Sequence, residues 1–291
     1  MKKLLPYGLP VVLVAILCLF VGFPSLTKTT ATHSLFDKNG VPVKNVKEIF
    51  GQLGVSIASI EEANEFAQKN FLITGDWWDL QPEKAWHGVV ESNKGALLEN
   101  FRALGMVDEL HPSKTMYKYV LLVGATKARI IMRLDYLAEL RKKGISFETI
   151  VLLGGERPLQ EFEKEGLPTD ITTEAEMMQY VCAQHPAFKD ITHLLVNAPM
   201  VQREDGTMVR PSVDGTLAYF AQIAPADGSC LVASNSPYIL RHIKAAQRIL
   251  DQNRFPTDGA GEALDSNTTN MIRLFDELAR AIYEEFKASR K

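Results

Sequence analysis

The chain offers little positive charge to a polyanion. Its 32 lysines and arginines stand against 35 aspartates and glutamates, a formal charge of -3, and no basic run follows the first few residues. Phosphate-backbone binding needs a basic surface, so no nucleic-acid partner is expected. There is no G-x-S-x-G elbow and no P-loop lysine motif, which leaves no signature for a nucleophilic serine or a P-loop nucleotide site. There is no internal repeat and no low-complexity segment. The glycines of Asp258-Gly259-Ala260-Gly261 follow no expected strand, so they do not read as a dinucleotide fingerprint. Cysteine is scarce, with only Cys18, Cys182 and Cys230. Leu17 is too large to precede a lipoprotein cysteine at position 18. Cys182 falls near the end of an expected helix and Cys230 at the start of an expected strand. Two readings stay open for them: a disulfide, which requires Cα atoms within about 7 Å, or two inert buried thiols.

What is present begins at the amino terminus. Leu4 to Phe23 holds no charged residue and is about long enough to cross a bilayer. Lys2 and Lys3 before it favour a cytoplasmic start with everything downstream exported. Residues 1–23 are therefore expected to be a transmembrane anchor or signal segment. That places a single-pass protein in the inner membrane with its soluble part on the periplasmic or extracytoplasmic side. Thr29-Thr30-Ala31 is a weak cleavage site and the apolar run exceeds the usual signal core, so an uncleaved anchor is the first reading and a cleaved signal the second. Residues 24–45, with Pro24, Gly40 and Pro42, read as a linker.

From Val46 the apolar residues recur at three and four positions: Ile49, Phe50 and Leu53, then Ile60, Ala63, Phe66 and Ala67, then Leu97, Leu98, Phe101 and Leu104. That spacing predicts a helical subdomain over residues 46–115. Trp77, Trp78 and Trp86 lie within it, either as core anchors, the favoured reading, or as a lining for a crevice. Asp76, Asp79 and His87 show no strong metal-ligand spacing, so no metal site is assigned.

Residues 116–291 read as α/β. Val120 to Val123 and Ile150 to Leu153 are continuous aliphatic runs of the kind found in parallel strands buried on both faces. An amphipathic helix separates them, which makes a βαβ unit. Thr173 with Glu176 three residues on forms a capping box and opens another helix. Further strands are expected at 193–196 and 229–233, with helices at 212–223, after Ser236-Pro237, and from about Thr269. Ligands in open parallel sheets bind beyond the carboxyl ends of the strands. Gly124 and Thr126, Gly154, Gly155 and Arg157, Asn197, and Ser234 and Asn235 are therefore the candidate ligand-binding positions. Arg129, Arg157 and Arg241 would add fixed charge suited to phosphate or carboxylate, unless each pairs with a nearby acid, for example Arg129 with Glu156. Glu156 and Glu174 are the candidate acid/base or metal-binding carboxylates. The expected ligand is an anionic small molecule; no cofactor is assigned.

The order of these motifs resembles a family. Gly124 followed by Arg133, Leu140 and Gly144, then Leu153-Gly154-Gly155-Glu156, then Thr173-Glu174-Ala175 with Met178, then Ser234 through Arg241, is similar to the SanA/YdcF/ElyC family of bacterial proteins. The likeness covers roughly Tyr119 to Ile282. It implies a Rossmann-like sheet sandwiched by helices, an amino-terminal membrane anchor, and a role in cell-envelope biogenesis. It also implies nucleotide-like or S-adenosylmethionine binding, with a hydrolase or transferase as the enzymatic reading. Two departures stand out: Tyr238 occupies the place of a histidine, and Ser212 to Thr216 lacks the Glu-Asn pair. They keep open a second class of function, a non-catalytic envelope scaffold that binds a partner protein.

Overall fold

The computed structural model describes residues 34–73, 86–264 and 270–290, without the His87 side chain. The apolar segment at 4–23, Asp76, Trp77, Trp78 and Asp79 lie outside the described residues. Among the described residues no helix is long and apolar enough to cross a membrane.

The three-and-four spacing after Val46 forms four helices: α1 (Lys44–Gln52), α2 (Ile60–Asn70), α3 (Trp86–Ser92) and α4 (Lys94–Ala103). Ser59 caps α2 by accepting the Glu62 backbone N–H at 3.3 Å, which satisfies one of the donors a helix start leaves over. The Trp86 ring packs 5.4 Å from Phe71 and 5.0 Å from Phe275, centre to centre. It anchors the helices in a core, the favoured role for the tryptophans.

The expected βαβ unit is β1 (Met116–Val123), α5 (Lys127–Lys142) and β2 (Ser146–Gly155). After it come a one-turn helix α6 (Glu161–Lys164), α7 (Glu174–Gln184), β3 (Thr192–Ala198), a hairpin of β4 (Val201–Gln202) and β5 (Met208–Val209), and α8 (Val213–Ile223). The chain closes with β6 (Cys230–Asn235), α9 (Ile239–Ile249), β7 (Thr257–Glu262) and α10 (Met271–Ser289). Five strands make one parallel sheet in the order β3-β2-β1-β6-β7. This is a Rossmann-like α/β architecture. Alternate residues of β1 face opposite ways, as a strand requires. Val120 and Leu122 pack with Ile130, Leu134 and Leu137 of α5 and Met177 and Met178 of α7. Tyr119, Leu121 and Val123 pack with Leu217 and Phe220 of α8 and Ala245 and Ala246 of α9. A third core joins α1, α2 and α4 to Met271, Leu274, Phe275, Leu278 and Ile282 of α10.

Two details refine the sequence expectations, and a third decides between two readings left open. The Asp258-to-Gly261 run lies inside β7, the edge strand, because α9 presses on it: a Cβ on Gly259 would stand 2.1 Å from Ile243 Cδ1. The helix expected after Ser236-Pro237 starts only at Ile239, and the Ser236 hydroxyl donates to the Asp108 carbonyl at 3.3 Å. Cys182 and Cys230 are both free and buried, the bland reading. They belong to the cores on opposite faces of the sheet, which keeps them apart.

Candidate functional site

The strand order reverses between β1 and β6, so the connections that follow them run to opposite faces, α5 to one and α9 to the other, and the crevice between such connections is the usual ligand position in these sheets. Gly124 follows β1 directly, and Thr126 stands at the start of α5. The Thr126 side chain makes no capping bond. The first-turn N–H groups of α5 therefore have no side-chain partner among the described residues, and a helix start with free donors suits an anion.

One residue reaches this crevice from within the fold. Arg133 lies on the buried stripe of α5 with Ile130, Leu134 and Leu137 and is 2% exposed. Its Nη1 donates to the Val123 carbonyl at 2.6 Å, and its Nε and Nη2 donate to Asn235 Oδ1 at 3.1 and 3.0 Å. Asn235 is itself oriented by donating its amide to the Ser236 carbonyl. Both acceptors, the Val123 carbonyl and Asn235 Oδ1, are neutral, and no carboxylate pairs with Arg133 among the described residues. Burial pulls its pKa down to about 9, and Arg129 and Arg241 push the same way while Tyr238 and Glu174 oppose them. At neutral pH it is still a cation. An ion in this position carries a penalty of several kcal/mol unless an opposite charge offsets it.

Arg129, one turn earlier, makes no ion pair with any described residue, neither with Glu156 nor with another acid. Its guanidinium lies over the Tyr238 ring, 4.5 Å from the ring centre. Arg241 is differently placed. Its Nε donates to Glu277 Oε2 of α10 at 2.8 Å, so its charge is met by a buried acid from behind.

Glu174 is the first residue of α7 and stands against the β1 end; a Cβ on Gly124 would be 3.1 Å from its carboxyl carbon. Burial raises its pKa above the ordinary carboxylate value, outweighing Arg157 and Arg210, which favour its charged form. The Arg157 to Glu174 contact is a single bond of 3.3 Å. Arg157 gives its better bonds to Glu163, a two-pronged pair at 2.7 and 2.9 Å with Glu163 only 1% exposed. Burial works against the Arg157 charge, but Glu163 and Glu174 more than offset it, and the guanidinium is held above its usual value. The two partners thus shift in ways that disagree about their own contact. The geometry resolves it: Arg157 is stabilised chiefly by Glu163, and Glu174 is left dominated by burial.

Gly154 and Gly155 allow close approach. A Cβ on Gly154 would meet Ala175 Cα at 2.8 Å, and one on Gly155 would meet Pro211 Cγ at 2.3 Å. Their bare backbone lets α7 and the segment after β5 pack on the end of β2. Glu156 is exposed just past β2, where one carboxylate oxygen accepts the Met200 N–H at 3.2 Å. Asn197 is exposed on β3 in register with Gly154. Ser234 is buried and shares a 2.8 Å hydrogen bond with His242 Nδ1. Burial, with Arg241 and Arg133 adding to it, pushes that imidazole well below its ordinary range, so it is neutral.

The switch-point crevice thus gathers Gly124, Thr126, Arg129, Asn235 and Glu174, with Arg157 and Arg241 behind them. Glu156 and Asn197 stand further along the sheet edge, and Ser234 lies below it. From the sequence Arg133 stands only as a motif residue and Tyr238 only as a departure from the resembled family, and Glu163 carries no signal as a site group. The signal for Arg133 was present, an arginine on an otherwise aliphatic helix face. Among the described residues no group of three or more histidine, cysteine, aspartate or glutamate side chains is arranged to hold a metal ion.

A cavity of about 600 Å³ opens elsewhere, between α9, α10, β7 and residues 34–40. Its Lys244–Glu285 and Arg248–Glu284 pairs neutralise each other. Open α/β sheets bind ligands at the switch point of the strand order, so the β1–β6 end is the stronger candidate. Compared with known proteins, the chain matches no family model and no curated sequence.

Proposed function

We propose that this chain binds an anionic small molecule, phosphorylated or nucleotide-like, in the crevice between β1 and β6. It does so as an exported protein tethered to the membrane through residues 4–23 and serving cell-envelope biogenesis, in keeping with the SanA/YdcF/ElyC resemblance. The observation that carries this reading is Arg133, a buried cation with only neutral acceptors. A bound anion offsets a charge that the fold leaves uncompensated. Arg129 and the open start of α5 supply further attraction, and guanidinium groups suit phosphate because they donate two bonds at once. Glu174, kept toward its protonated form, supplies the proton for a hydrolase or transferase step on that ligand.

Calorimetric titration with inorganic phosphate at low salt, beside native mass spectrometry of the freshly purified protein, tests this. Phosphate binding that is lost in Arg133→Gln and retained in Arg254→Gln, a change at an exposed surface pair, is the expected result. Absence of both phosphate binding and any co-purified anion overturns the reading.

A second reading draws on Glu156, which stands just past β2, where a ribose-binding acid is found in dinucleotide folds. On that reading the ligand carries a ribose, as S-adenosylmethionine does, and titration with that compound tests it. A heat of binding that Glu156→Gln removes is the supporting result.

A further inference from the structure

We propose that the ligand of the β1–β6 crevice carries two phosphate-like groups, one held by Arg133 and Arg129 and the other by Arg210. This rests on the anion-binding function above and narrows its ligand to a diphosphate or bisphosphate.

The argument begins with how the arginines around the crevice are used. Arg157 is tied to Glu163, and Arg241 to Glu277. Arg129 and Arg210 have no ion pair among the described residues, and their segments stand at different strand ends. Arg129 belongs to the β1–β6 side, where it lies over Tyr238. Arg210 belongs to the β2 side. It precedes Pro211, whose ring occupies the space that a side chain at Gly155 would fill, and it is near enough to Glu174 to favour that carboxyl's charge. The segment carrying Arg210 is therefore fixed against the end of β2. Ser212 caps α8 directly after it by accepting the Gly215 N–H at 3.2 Å.

Strands β2 and β6 stand two places apart in the sheet with β1 between them, a separation of about 10 Å at roughly 4.8 Å per strand. Two unpaired arginines set that far apart match a pair of linked phosphates better than one. The group between them is Glu174. Two anions beside it would add to the upward shift that burial gives its carboxyl, toward the protonated form, which donates a hydrogen bond.

Calorimetry with inorganic phosphate and with pyrophosphate separates the possibilities, at matched ionic strength and with thermal unfolding to confirm that each variant is folded. Arg210 is exposed, so Arg210→Gln leaves the core intact. The expected result is that Arg210→Gln weakens pyrophosphate about tenfold while leaving phosphate within about twofold, whereas Arg129→Gln weakens both. Pyrophosphate is the more charged probe, so the differential effect of Arg210→Gln decides the matter, and the bare affinity ratio does not. If Arg210→Gln changes neither probe, or changes both equally, the two-group ligand is overturned while anion binding stands. If the unmodified protein binds neither probe, both fail.

Discussion

The Arg129 guanidinium lies over the Tyr238 ring, 4.5 Å from the ring centre. A tyrosine ring holds the guanidinium by its face and leaves the arginine's donors unspent, so the contact keeps Arg129 beside the crevice without neutralising it. Such a contact contributes about 0.5–2 kcal/mol. Tyr238→Phe preserves the ring face and should leave phosphate affinity within about twofold. Tyr238→Leu removes it and should weaken phosphate by about five- to thirtyfold, the equivalent of roughly 1–2 kcal/mol. Calorimetry on the two variants checks this, and equal affinities would show that the ring does not position Arg129.

The pair behind Glu174 has a sharper stability signature. Glu163 is buried under Arg157 and also accepts the Gln160 N–H at 2.9 Å. Removing one partner of a buried ion pair strands the other charge, at a cost of about 3–5 kcal/mol, whereas replacing both with apolar groups of similar volume is far less costly. Glu163→Met should therefore lower the urea-unfolding free energy by about 3 kcal/mol, and Arg157→Met with Glu163→Met by less than that single change. Additive losses would mean that the two side chains act separately.

The two central strands were legible in the sequence because burial on both faces leaves unbroken aliphatic runs, Val120–Val123 and Ile150–Leu153, and these align in parallel. The capping box at Thr173 and Glu176 was equally plain because its two hydrogen bonds are local, and both form. Strand β7 was hidden because its sequence is set by a neighbour: Ile239 and Ile243 of α9 crowd Gly261 and Gly259, so glycine replaces the aliphatic residues that mark a strand. The site divided along the same line. The glycine turns and Glu174 follow their strands and caps. The partners of Arg133 come from β1 and from Asn235, 102 residues away, and no spacing rule reaches that far.

The thiols give a simple check on the core. Burial pushes Cys182 and Cys230 each up to about 12, so neither offers a thiolate at neutral pH, and the thiolate is the reactive form. In the folded protein both should resist iodoacetamide. After denaturation without reductant, peptide mass measurement should find both alkylated. Either cysteine recovered as a disulfide would contradict their placement on opposite faces of the sheet.

Glu174 makes a prediction whose sign distinguishes burial from ion pairing. Its carboxyl has a higher pKa folded than unfolded, first because it is buried. Between the two values the folded state holds more protons, so unfolding free energy falls as pH rises. The stabilising contribution of the protonated acid is thus complete below the unfolded carboxylate range and is lost as pH climbs through the folded value. Glu174→Gln cannot titrate and escapes that loss. Its stability relative to the unmodified protein should rise from acid toward neutral pH and then level off, as followed by urea unfolding across a pH series. If the Arg157 bond dominated instead, the folded pKa would lie below the unfolded one, and the variant would lose ground over the same interval. The weak 3.3 Å geometry of that bond, against the two-pronged grip of Glu163 on the same arginine, favours the first outcome. A proton donor would then be standing beside the anion site.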